Sequence, residues 1–304
     1  MVYLPIAEMP VNVLLVLLIS GLIGFVSGLV GVGGGFIMTP ALIFFGIPAP
    51  VAVATGASQI AATSFSGLLS QARRKSVDWR MGLLLSVGGV VGGLFGVKLF
   101  QRLQDLGQLD LLITILYVVF LAGIGALMLA ESIAVMRGRV LPTPKLLTRP
   151  VRTIAHRLPF RLRFPRSGLY ISVLPPLLIG FGIGALAAIM GVGGGFVLIP
   201  AMIYLLRMPT NVVIGTSLFQ ILIVTAMVVV LQSNLTHTVD LVLAALLMLG
   251  GVIGAQMGSR IGTRLNGEHI RAVLGLLLAL SSLKFLLDLL LPPSEMFVLT
   301  GLAT

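Results

Sequence analysis

The hexapeptide GVGGGF occurs twice, at residues 31–36 and 191–196, within sequence that is otherwise almost purely apolar. Glycines at this density let the backbone approach another group closely, because no Cβ stands in the way. Where such a turn opens a helix, the first N–H groups have no intrahelical acceptor, and the helix dipole adds partial positive charge. In hydrocarbon an unpaired amide costs several kcal/mol, so something must pair with these groups. The chemistry that fits is anion binding by backbone amides, from Gly33, Gly34 and Gly35 in one copy and Gly193, Gly194 and Gly195 in the other. A nucleotide phosphate loop is excluded, since neither copy ends in Gly-Lys-Ser/Thr and the flanks are apolar.

A second pair of strings follows the glycines: PAPVAVATGASQ at 48–59 and PTNVVIGTSLFQ at 209–220. They place Thr55, Ser58 and Gln59 against Thr216, Ser217 and Gln220. Hydroxyls and amides can donate to an oxyanion without adding charge, which suits a site that must also release its ligand. Thr55, Gln59, Thr216 and Gln220 therefore join the glycines as substrate-binding candidates. The competing role is interhelical hydrogen bonding, worth ~0.6 kcal/mol in membranes.

Other chemistry has little to stand on. Cys is absent, and His156, His237 and His269 form no metal-ligand pattern. No carboxylate or imidazole lies mid-span in both halves, so a proton relay, an enzyme, a metal and an organic cofactor are all unexpected. Asp78 and Asp240 stand at matched helix starts, where capping accounts for them. Lys98 and Arg260 are matched residues near span ends and read as interfacial anchors. Lys284 and Asp288, at i and i+4, are spaced to pair.

The elements that must position these residues follow from composition. Of 304 residues 58% are hydrophobic and only 10% charged, with mean hydropathy +1.13. An ordinary soluble domain carries about 25% charged residues, so the chain reads as an integral membrane protein. Residues 1–10 contain no Lys or Arg, so the first apolar stretch reads as a retained helix and not a cleaved leader.

GVGGGFIMTPA at 31–41 matches GVGGGFVLIPA at 191–201 in eight of eleven places, and VGGVVGGLFGVKL at 87–99 matches LGGVIGAQMGSRI at 249–261. The chain is a duplicated unit. The expected fold is all-α and polytopic, with about eight long transmembrane helices and two half-length, re-entrant or broken helices near 36–46 and 196–206. The domains expected are a first membrane repeat (1–135), a basic linker (136–168) and a second repeat (169–304). The glycines at 88–93 and 249–252 read as tight helix crossings.

Basic residues set the orientation. Arg73, Arg74, Lys75 and Arg80 mark the 72–80 loop as cytoplasmic, whereas in the second half the basic cluster, Arg260, Arg264 and Arg271, comes one loop later. The halves are thus expected to be inverted repeats, as in many secondary transporters. Net charge is +11, but nine of the 20 basic residues lie between Arg137 and Arg166 with no acid among them. That segment suits anionic lipid headgroups, and no nucleic acid partner is expected.

The paired GVGGGF…P strings, the GTSLFQ string at 215–220 and the charged central segment resemble the sulfite exporter TauE/SafE family. The resemblance runs from about residue 11 to 291, outside the linker. The first half departs from it in reading ATGAS at 54–58. The resemblance implies a permease of a bacterial inner membrane for small sulfur-containing anions such as sulfite, sulfoacetate or thiosulfate, usually an exporter. A passive anion channel, or a scaffold acting through the linker, are the rival readings.

Overall fold

In the computed structural model, residues 2–30, 35–136, 161–261 and 267–290 are described. The first half runs β1 (Val2–Leu4), β2 (Met9–Val11), α1 (Val13–Val30), α2 (Gly35–Phe44), α3 (Ala49–Arg73), α4 (Trp79–Asp105) and α5 (Leu109–Met136). The second runs β3 (Arg161–Phe164), β4 (Leu169–Ser172), α6 (Leu174–Met190), α7 (Gly195–Pro200), a π-helical turn (Ala201–Leu205), α8 (Thr210–Leu235), α9 (Leu241–Ile261) and α10 (Gly267–Leu290). Among the described residues, four segments are long and apolar enough to cross a membrane: Trp79–Asp105, Leu109–Leu127, Val212–Leu235 and Leu241–Ile261. Ten helical residues rise only about 15 Å, half of a hydrocarbon core, so α2 and α7 with its π turn are short elements. The π turn follows Pro200, and Leu206 N closes it by donating to Ala201 O at 3.2 Å.

α4 shows how composition becomes packing. Leu83, Val87, Val91 and Phe95 recur every fourth residue and stay exposed on the outer face, as lipid-facing side chains do. Gly88, Gly92 and Gly96 recur on another face, where added Cβ atoms would meet the backbone carbonyls of Leu177, Phe181 and Ala185 of α6. Gly250, Gly254 and Gly258 of α9 meet Leu17, Gly21 and Phe25 of α1 in the same way. These glycines serve backbone-to-backbone crossing, as the sequence suggests. The resulting partners are reciprocal: α1 packs on α9, α6 on α4, α3 on α8 and α5 on α10.

The two antiparallel hairpins, β1–β2 and β3–β4, were not foreseen, and residues 161–168 of the second lie in the stretch expected to be linker. Their turns use positive φ at Glu8 (53°) and Gly168 (64°). Each hairpin docks on the cap of a helix in the other half. Ser167 donates through both its N–H and its hydroxyl to Asp78 Oδ2, and Ile6 N donates to Asp240 Oδ2 at 3.1 Å. The same carboxylates cap α4 and α9, Asp78 Oδ1 accepting from Met81 N and Asp240 Oδ1 from Leu243 N. Arg166 Nη1 fixes the α3–α4 loop by donating to the carbonyls of Lys75 and Val77, both at 2.9 Å. The rest of the basic linker, 137–160, lies outside the described residues.

The Lys284 ammonium does not follow its i+4 spacing to Asp288. It sits 3.9 Å from the centroid of the Phe44 ring, a cation–π contact.

Candidate functional site

The second glycine string is an interruption between two helices. Gly191 closes α6 in the left-handed region (φ 66°), its N–H donating to Ala187 O at 2.9 Å. Gly193 and Gly194 continue at φ 69° and 70°, and α7 starts at Gly195. Side chains there would be strained, and a Cβ on Gly194 would also run into Ile183. The carbonyls freed at the end of α6 are taken up by the first half: Tyr117 OH donates to Met190 O at 2.6 Å and Thr39 Oγ1 to Gly191 O at 3.4 Å.

The two strings meet. A Cβ at Gly35, the first residue of α2, would lie 2.8 Å from Val192 O and against the Ile60 side chain. A Cβ at Gly193 would lie 2.7 Å from Ile60 Cγ2 and 3.2 Å from Ile221 Cγ2. The Phe36 and Phe196 rings, one from each string, stand 5.9 Å apart. Gly33 and Gly34 lie outside the described residues.

Gln59 and Gln220 precede Ile60 and Ile221 and are buried. Gln59 Nε2 donates to Ser20 O at 3.4 Å, while its Oε1 has no hydrogen-bond partner among the described residues. Gln220 has none for either Oε1 or Nε2. Buried amides without partners are unusual, since most buried polar groups are hydrogen-bonded. Thr55 and Thr216 are differently placed. The Thr55 hydroxyl accepts from Asp240 N at 3.1 Å, and the Thr216 hydroxyl accepts from Asp78 N at 3.0 Å and donates to Val212 O at 2.7 Å. These pairs join the start of α3 to the start of α9, and the start of α8 to the start of α4. α3 and α8 therefore run antiparallel.

One helical turn beyond Gln59, Thr63 lies against a cavity of about 810 Å³. Its lining includes the hydroxyls of Ser27, Thr63, Ser66, Ser70 and Ser259, the amides of Gln71 and Gln256, and the guanidinium groups of Arg73, Arg74 and Arg260. No carboxylate is among its described lining residues. Arg260, expected only as an interfacial anchor, is brought together with the basic end of α3.

The model of the sulfite exporter TauE/SafE family matches residues 16–285. The chain belongs to this family. It is 29% identical over 262 residues to a "Probable membrane transporter protein" of Xylella fastidiosa (strain 9a5c), covering 85% of this chain and 88% of that one. It is also 26% identical over 280 residues to "Probable membrane transporter protein YunE" of Bacillus subtilis (strain 168), covering 87% and 94%. No solved structure matches the chain. As a TauE/SafE protein it is an integral membrane transporter, not an enzyme. The TauE/SafE motifs led to the glycines and glutamines but not to the cavity. What would have led there is the set of places where the halves differ, such as Ser66 against Met227.

Proposed function

We propose that this TauE/SafE transporter moves a small sulfur-containing oxyanion, such as sulfite, thiosulfate or sulfoacetate, and exports it by alternating access between two inverted repeats of four long helices and one short helix each. The observation that carries the reading is the meeting of the two glycine strings around Ile60, with Gln59 and Gln220 beside them holding unpartnered polar atoms. In this reading amides around Gly33, Gly34, Gly35, Gly193, Gly194 and Gly195 receive the anion's oxygens, and Gln59 and Gln220 donate from the flanks. Thr55 and Thr216 hold the helix starts that frame the site. Anionic headgroups bind the 136–168 linker.

Uncharged donors suit a carrier, because they orient an oxyanion without trapping it as a buried ion pair would. Direction has a physical basis: an inside-negative potential favours exit of an anion by ~2.3 kcal/mol per charge per 100 mV. Export then needs no proton relay.

The test is uptake of radiolabelled sulfite into inside-out vesicles, where export appears as accumulation. Saturable uptake by the wild type, lost in Gly194→Val protein that is inserted at normal levels, supports the proposal. Equal uptake by that variant rules out the backbone-amide site.

A further inference from the structure

The duplicated strings align the halves residue by residue, so the cavity can be compared with the volume it would occupy in the other half. Ser27 and Gly28 of α1 correspond to Ala187 and Ala188 of α6. On α3 and α8, Thr63, Ser66, Gly67 and Ser70 correspond to Val224, Met227, Val228 and Leu231. On α9 and α4, Ser259 corresponds to Val97. The seven apolar counterparts together form one packed cluster, with Val97, Ala187, Ala188, Val224 and Val228 buried and Met227 and Leu231 against them. The cavity positions on α1, α3 and α9 carry hydroxyls, and their counterparts on α6, α8 and α4 fill the equivalent space with hydrocarbon. Gln232, the counterpart of the cavity residue Gln71, turns its amide inward and donates to Ala188 O at 3.0 Å.

Both places lie one turn from the same centre. Thr63 Oγ1 donates to Gln59 O at 3.0 Å, and Val224 stands four residues after Gln220. Since α3 and α8 are antiparallel, the cavity and the cluster lie in opposite directions from the glycine strings. Resting on the transport reading above, we infer that the cavity is the loading site for a small oxyanion, and that the apolar cluster is its closed counterpart, the gate that parts for release.

The chemistry of each end fits that role. A cleft whose described lining holds guanidinium groups and no carboxylate concentrates anions at its mouth, and the guanidinium fork matches the oxygens of a sulfonate or sulfite. The Thr63 and Ser259 hydroxyls donate to backbone carbonyls, whereas Ser66 Oγ accepts from Gln256 Nε2 at 3.2 Å and keeps its own proton to donate as the anion sheds water. The cluster offers no hydrogen bond to a desolvated anion, which makes it an effective barrier while it stays packed. The structure is accordingly the state open on the basic side.

The chain has no Cys, so an introduced thiol is the sole thiol. In vesicles of both orientations, Ser66→Cys and Val224→Cys proteins are treated with a membrane-impermeant maleimide, with and without sulfate or sulfoacetate. Position 66 should label only from the side of the basic loops, and position 224 from neither side. Either anion should slow labelling at 66, and adding Arg73→Gln with Arg74→Gln should raise the concentration needed about fivefold. Labelling at 224 as fast as at 66, or no slowing at 66 by either anion, overturns the assignment. Slowing at 66 in a protein that transports no sulfur anion keeps the loading site and removes the transport reading, so the two fail separately.

Discussion

The backbone N–H of Asp78 donates to the hydroxyl of Thr216, 138 residues away, at 3.0 Å. Asp240 and Thr55 repeat the arrangement at 3.1 Å. Each threonine is buried and positions the first turn of a helix whose aspartate also anchors a hairpin. Thr216→Val leaves the Asp78 amide without its acceptor, at a cost of about 1–3 kcal/mol. The expected result is a lower Tm in detergent with sulfite affinity unchanged in the folded fraction. A changed apparent affinity at unchanged Tm would give Thr216 a direct role in binding.

Two glycines of α6 separate packing from mere composition. Gly182 has nothing within 4 Å of an added Cβ, whereas at Gly184 the Cα of Gly89 would lie 2.7 Å away. Gly182→Ala should be neutral or stabilising by up to about 1 kcal/mol, the helix-propensity difference. Gly184→Ala must push α6 off α4 and should lower Tm and membrane yield sharply. Equal behaviour of the two variants would contradict the close crossing.

Gln220 is expected to show opposed effects on stability and function. Its side chain is fully buried, with no partner for either polar atom among the described residues, so Gln220→Leu removes a desolvated amide at nearly constant volume. The gain should be about 1–2 kcal/mol in stability. Transport should fall at the same time, since in the proposed site this amide donates to the anion. A variant that is destabilised, or that transports normally, would show that Gln220 is structural.

Much of this was legible in the sequence because membrane helices advertise themselves by length, and a duplication prints each motif twice. GVGGGF located the interruption at 191–194, and Asp78 and Asp240 read correctly as caps. The hairpins were not legible: VYL/MPV and RLRF/LYIS are too short to show alternation, and their stability comes from buried Leu4 and Phe164 and from carboxylates far along the chain. The cavity was missed because aligning halves rewards identity, whereas the cavity consists of positions that differ. Lys284 escaped its spacing because an aromatic face from α2 was nearer than its own helix could reveal.

That difference between halves makes the gate testable by transplantation. Val224→Thr together with Leu231→Ser gives α8 the residues that α3 carries at Thr63 and Ser70, turning part of the packed cluster into cavity wall. The double change loses apolar contacts, and large-to-small substitution of this kind costs about 2–5 kcal/mol at a Leu site, so Val224→Thr alone serves as the milder form. A barrier that works by refusing hydrogen bonds should leak once hydroxyls line it. Proteoliposomes holding radiolabelled sulfate should therefore lose it passively through the variant, on a timescale at which wild-type vesicles retain it. The reverse change, Thr63→Val, should slow uptake without any leak, because it removes a hydroxyl from the loading side and leaves the far seal intact. A tight Val224→Thr protein that still transports would place the gate elsewhere.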